Sequence, residues 1–205
     1  MYTFIGDCHG KIDTLMRQLQ SLHDRKKEGY ILQIGDMGLG FSGVKLPLTS
    51  GKFGFIRGNH DCPSMCQEHP NYAGEFGMWR DVFVVGGAYS IDWAHRIPGR
   101  SWWFNEELSI EQGEEALQQY LSNKPRIVAS HEAPTVVAET LLRDGGFRPE
   151  KWDSTQSRTA RLLQRMFSQH QPEHWVFGHY HRSWQLTLEG TKFQCLNELE
   201  ATTIC

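Results

Sequence analysis

The stretch Tyr2-Thr3-Phe4-Ile5-Gly6-Asp7-Cys8-His9-Gly10 decides how the rest of the chain is read. Four apolar or β-branched residues make a short strand, and a glycine then breaks the chain into a turn carrying a carboxylate and an imidazole. The same grammar recurs along the sequence. Residues 30–34 run into Gly35-Asp36, 53–57 into Gly58-Asn59-His60-Asp61, 126–129 into Ser130-His131, and 175–177 into Gly178-His179-Tyr180-His181. Between the first two strands Ile12, Leu15, Met16, Leu19 and Leu22 recur at three- and four-residue spacing, which predicts an amphipathic helix ending near Gly29. This is an α/β pattern. Ligands in α/β sheets gather outside the carboxyl ends of the strands, so Asp7, His9, Asp36, Asn59, His60, Asp61, His131, His179 and His181 are expected to converge.

Outward from these turns the signals are plainer. Residues 82–85 and 88–92 flank Gly86-Gly87 and predict a hairpin or bulged turn. An aromatic, arginine-bearing loop follows over 93–104, and Ser109 with Gln112 forms a capping box for a helix to about Leu121. Residues 132–152 read as a loop, Ala160, Leu162, Leu163, Met166 and Phe167 as a helix face, and 184–188 with 192–196 as a closing pair of strands.

At 205 residues, with no repeat or linker, the chain is expected to be one domain over 1–205, large enough to bury a core without staples. A hydrophobic content of 39%, 22% charged residues and a mean hydropathy of −0.51 fit a globular chain. No apolar run approaches the roughly 18 residues of a membrane span, and the first residues lack the basic and apolar regions of a leader. Five scattered cysteines without paired spacing predict reduced thiols and a cytoplasmic location. Cys62, Cys66 and His69 lack the second cysteine pair that a zinc site would need. A net charge of −3 gives no pervasive attraction to nucleic acid, so stable nucleic-acid binding is not expected.

The 10 histidines and 20 glycines are more telling. Carboxylate, amide and imidazole donors together suit Mn²⁺, Fe²⁺ or Zn²⁺. There are too many donors for one tetrahedral ion, whereas two adjacent sites sharing a carboxylate would use the set, an arrangement suited to in-line displacement at phosphorus. In Asp7-Cys8-His9 and His179-Tyr180-His181 the i and i+2 side chains can face one way, with Cys8 turned away to pack beneath.

Through GDCHG at 6–10, GD at 35–36, GNHD at 58–61, SH at 130–131 and GHYH at 178–181, the chain resembles the calcineurin-like metallophosphoesterases. The resemblance implies two mixed β-sheets packed face to face with helices outside. It implies Asp7, His9, Asp36 and His181 as ligands of one metal and Asp36, Asn59, His131 and His179 as ligands of a second, with Asp36 bridging. His60 would protonate the leaving oxygen, oriented by Asp61, while a metal-bridging hydroxide attacks phosphorus in line. Two divalent ions, with Mn²⁺ first and iron or zinc as alternatives, would be the cofactors.

The 6–10 and 57–60 stretches are most similar to the branch containing Ser/Thr protein phosphatases. That branch carries a phosphate-gripping arginine in its second motif, whereas this chain reads Gly35-Asp36-Met37-Gly38-Leu39-Gly40. Some other cation must then hold the phosphate, and Arg57, Arg96 and Arg100 are the candidates, Arg57 being equally suited to brace its own turn. The expected activity is hydrolysis of phosphate monoesters on a small molecule, nucleotide or phosphoprotein. Alternatives are a phosphodiesterase acting on nucleotides, cyclic nucleotides or nucleic-acid ends, and an idle binding scaffold of the same fold.

Overall fold

Alternation along the strands sets the architecture. In the computed structural model, which describes residues 1–24, 29–41, 43–146 and 156–205, β1 (Tyr2–Ile5), β2 (Tyr30–Ile34) and β3 (Phe53–Ile56) run parallel, and β10 (Ala201–Ile204) adds antiparallel to β1. A six-stranded sheet has the order β4 (Phe76–Trp79), β5 (Val82–Val85), β6 (Ile127–Ser130), β7 (His174–Phe177), β9 (Thr191–Cys195), β8 (Trp184–Leu188). Both sheets have an antiparallel edge beside parallel strands, so both are mixed. Phe4, Leu32, Ile34 and Ile56 of the smaller sheet meet Val82, Val84, Ile127, Ala129 and Val176 of the larger in one buried cluster, which is the face-to-face core.

The alternate residues face the helices. Phe83, Val128, Trp175 and Phe177 pack under α3 (Ile110–Asn123), α4 (Thr135–Asp144) and α5 (Arg158–Gln169). On the opposite side Ile5 and Phe55 pack with Leu15 and Leu19 of α1 (Ile12–Asp24) and with Cys66 of the short α2 (Pro63–Gln67). Cys8 joins that cluster, fully buried, as its position between two outward-facing polar residues predicts. The Ser109 capping box on α3 is present, with Ser109 N–H donating to Gln112 Oε1 and Gln112 N–H to Ser109 Oγ.

Two expectations are corrected. Residues 88–92 are not a strand, and the hairpin lies upstream, where β4 pairs antiparallel with β5; Ser90 is instead held by its hydroxyl and N–H against Glu106. The predicted loop from 132 contains α4, whose apolar face is Val137, Ala138 and Leu141, while 147–152 lie outside the described residues. Helix α1 covers Ile12–Asp24, and its predicted continuation over 25–28 also lies outside the described residues. Among the described residues no helix is long and apolar enough to cross a membrane.

Candidate metal centre

Five strand ends deliver the expected groups to one crevice. Turns after β1 and β2 are stitched together, Cys8 and His9 N–H donating to Asp36 C=O and Gly10 N–H to Met37 C=O. His60 N–H donates to Asp36 Oδ1 at 2.7 Å, and His179 N–H reaches the Asp7 carboxylate at 3.2 Å. Close approach dictates glycine at two of these turns. A Cβ on Gly58 would overlap the Asp36 carboxylate and His131 Nε2, and one on Gly178 would overlap Asp7 Oδ1. His9, Asp36, His179 and His181 all have positive φ, between 46° and 69°, a conformation that L-residues adopt at a cost and that clusters at functional sites.

The side chains form two adjoining groups. Ligand atoms of Asp7, His9, Asp36 and His181 lie within 4.8 Å of one another. His9 Nε2 and His181 Nε2 are 2.8 Å apart, and Asp7 Oδ2 is 3.0 Å from His181 Nε2. In the second group Asn59 Oδ1 is 3.0 Å from His179 Nδ1 and 3.2 Å from His131 Nε2, which is 3.3 Å from Asp36 Oδ1. His131 Nδ1 donates to Ile34 C=O at 2.9 Å, which fixes the tautomer and turns Nε2 inward. Asp36 faces both groups, with Oδ1 toward His131 and Oδ2 3.7 Å from His9 Nε2.

This geometry suits cations. A neutral His131 would aim its Nε2 lone pair at two oxygens that also present lone pairs, so a proton or a metal ion must lie between them. The charge balance agrees. Burial opposes charge on Asp36, but His131, His60 and His9 hold its pKa well below the usual carboxylate range. Burial likewise opposes charge on His131, yet Asp36 and Asp7 raise its pKa to about 10. His179 is pushed down to about 4, by burial first and then by His131. The pocket thus has a standing demand for positive charge, and its nitrogen and oxygen donors meet the preferences of borderline divalent ions.

His60 and the arginines are placed less as expected. Asp61 does not orient His60: its carboxylate accepts N–H bonds from Met37, Gly38, Leu39 and Gly58 at 2.7–3.1 Å, pinning two site turns together. His60 Nε2 instead accepts from Arg96 Nη2 at 2.8 Å, and its ring lies against Phe41. Burial, opposed by Asp36 and then reinforced by Arg96, pushes the His60 pKa to about 4. Arg96, also paired with Asp92 at 2.7 Å, lines a pocket of ≈ 360 Å³ over the cluster. Arg57 does not reach that pocket. It is 2% exposed, with Nε 2.6 Å from Glu75 and Nη1 on Glu106 C=O, so it is a brace. Arg100 is exposed and outside the pocket lining. Sequence reasoning passed over Arg182, which lines the pocket and directly follows the last histidine motif.

An α/β sandwich that gathers carboxylate, amide and imidazole donors at its strand ends has the makings of a metal-binding protein. The calcineurin-like phosphoesterase family matches residues 2–183, and the chain belongs to that family. It is thereby a metal-dependent phosphate-ester hydrolase with divalent ions as cofactors and a phosphorylated substrate. No curated protein matches the chain at a significant level.

Proposed function

We propose that the protein is a cytoplasmic phosphomonoesterase that works with two divalent ions, Mn²⁺ first among them. Asp7, His9, Asp36 and His181 would hold one ion and Asp36, Asn59, His131 and His179 the other. The observation that carries this reading is Asp36, whose two oxygens face the two donor groups from 1% exposure. When bound, the ions supply Lewis-acid charge that activates water and neutralises phosphate oxygens.

The chain's own residues supply the rest. Arg96 and Arg182 both line the pocket, which suits the dianion of a monoester better than the single charge of a diester. Arg96 exchanges His60 for a phosphate oxygen, leaving His60 Nε2 to carry a proton to the leaving oxygen, and the incoming negative charge raises a pKa that is otherwise depressed. Asp61 keeps the turns of Asp36 and Asn59 in register. Free thiols on all five cysteines support the cytoplasmic placement.

The diesterase reading has one observation behind it. Ile91 and Leu142 line the pocket and give a second ester group apolar surface to cover. Hydrolysis of p-nitrophenyl phosphate and bis-p-nitrophenyl phosphate in Mn²⁺ separates the two: faster turnover of the monoester is expected, and activity confined to the diester overturns the monoesterase reading. Metal-loaded protein with no turnover on either ester would return the chain to a binding role.

A further inference from the structure

Asn59 can offer an oxygen to a cation only if its amide is turned one way, and a buried chain of hydrogen bonds determines which. Asn59 Nδ2 donates to Ser90 Oγ at 3.0 Å. Ser90 Oγ–H donates in turn to Glu106 Oε2 at 2.5 Å, and Ser90 N–H to Glu106 Oε1 at 2.8 Å. All three residues are nearly inaccessible: Asn59 is 2%, Ser90 1% and Glu106 4% exposed. As a carboxylate, Glu106 accepts the hydrogen bond of the Ser90 hydroxyl, which leaves Ser90 Oγ with lone pairs for Asn59. That polarity turns the NH₂ of Asn59 toward Ser90 and its Oδ1 toward His131 and His179.

The structure assigns Ser90 and Glu106 as positioning residues that orient the Asn59 amide for a divalent cation. The inference rests on the reading of Asn59 as a ligand, made above. Glu106 is not part of the pocket lining, and Ser90, which is, has its hydroxyl engaged by Glu106 and Asn59. Their part is directional, which gives a distinctive consequence for isosteric change. In Glu106→Gln, an oxygen facing Ser90 N–H leaves an NH₂ facing Ser90 Oγ. With its carboxylate acceptor gone, the buried hydroxyl hydrogen is best satisfied by Asn59 Oδ1, which favours turning the Asn59 NH₂ toward His131 and His179. Replacing one carboxylate oxygen by an NH₂ group, with almost no change of volume, would reverse the polarity of the whole chain.

The same segment contributes twice to the site. Arg96, which meets His60 over the pocket, is carried on the loop between Ser90 and Glu106. Anchoring both ends of that loop beside Asn59 ties the cation-holding amide and the guanidinium over the pocket to one support. Arg57 secures it further, donating to Glu106 C=O while Gly87 N–H bonds Arg57 C=O.

Titration of the metal-free full chain with Mn²⁺ alone, followed calorimetrically, tests the assignment. Wild type is expected to show two classes of site. Ser90→Ala and Glu106→Gln should each weaken one class by about tenfold to a hundredfold, the range found when outer hydrogen-bond partners of metal ligands are removed. The other class should stay as in wild type. Asn59→Asp supplies the decisive background, because a carboxylate presents oxygen whichever way it is turned. Adding Ser90→Ala to Asn59→Asp should then cost less than threefold. Wild-type affinities in both single variants overturn the assignment, as does equal weakening of both classes or an undiminished Ser90→Ala cost in the Asn59→Asp background. Should Ser90→Ala not fold, Glu106→Gln alone and combined with Asn59→Asp decides by the same criteria. A wild-type chain lacking two classes of site would instead overturn the two-ion reading, so the two failures are distinguishable.

Discussion

The two donor groups around Asp36 are built in different surroundings. Asp36, Asn59, His131 and His179 form a deep group, with His131 at 0% and Asn59 at 2% exposure and with His131 locked onto a strand carbonyl. On the other side, the imidazoles of His9 and His181 are 21% and 44% exposed and face each other across 2.8 Å. Charges in the deep group act through low-dielectric surroundings, whereas those in the outer group are partly screened by water. One carboxylate therefore faces a largely buried group and one whose two imidazoles are partly exposed. On the two-ion proposal, an ion in the buried group is expected to be removed by a chelator more slowly than one in the exposed group.

Asp36→Asn should break that contrast most severely, since it removes charge from both halves at once. Losing even an outer-lying partner of a metal ligand costs 10–100-fold, so kcat/KM is expected to fall by more than about a hundredfold. Metal content after dialysis should fall for both ions. Retention of two ions with near-normal turnover would mean that Asp36 is not shared.

The next effect separates the halves. His181→Ala should lose the outer ion to a chelator while keeping one ion per chain. His131→Ala should lose the deep one and should also lower the thermal midpoint, because the Ile34 carbonyl loses its buried donor at a cost of about 1–3 kcal/mol. Elemental analysis after matched chelation checks the first part and thermal unfolding of the metal-free proteins the second. Identical metal loss in both variants would erase the distinction between a deep and an outer half.

Why the donor set and its division were legible, but not the depth of each half, follows from the range of the interactions. Each expected ligand sits within three residues of a strand-ending glycine or serine, so short local motifs announce it. Which ligands are buried depends on how two sheets stack, and no four-residue strand carries that information. The roles of Asp61 and Arg57 were hidden for the same reason. Asp61 adjoins His60 in sequence, yet its carboxylate reaches back 22–24 residues to the N–H groups of 37–39. Arg57 looks like an available cation until Glu75 and the Glu106 carbonyl are seen to enclose it. The Glu106–Ser90–Asn59 chain spans 16 and 31 residues and leaves no local mark. Helix α4 was within reach, since Val137, Ala138 and Leu141 have helical spacing after Pro134, but Thr135, Val136 and Val137 are β-branched and weaken the helical signal. Strand β10 is four residues long and two of them are exposed, so its pairing with β1 alone defines it.

The smallest effect concerns the cation that faces both halves from above. Arg96 and Arg100 belong to one loop and read alike in sequence, but only Arg96 lines the pocket, where it meets His60. A charge-assisted hydrogen bond to phosphate is worth roughly 1.5–3 kcal/mol, so Arg96→Ala should raise KM for a phosphate monoester about tenfold or more. It should leave both ions in place, because no donor of either group depends on it. Removing the guanidinium also frees His60 Nε2 from a fixed donor, and with Arg96 no longer depressing it the His60 pKa should move up toward the ordinary histidine value. Arg100→Ala, four residues along and outside the lining, should leave KM unchanged. A KM increase in Arg100→Ala equal to that in Arg96→Ala would show that the loop acts through its net charge rather than through one placed guanidinium, and steady-state kinetics at two ionic strengths would tell the two apart.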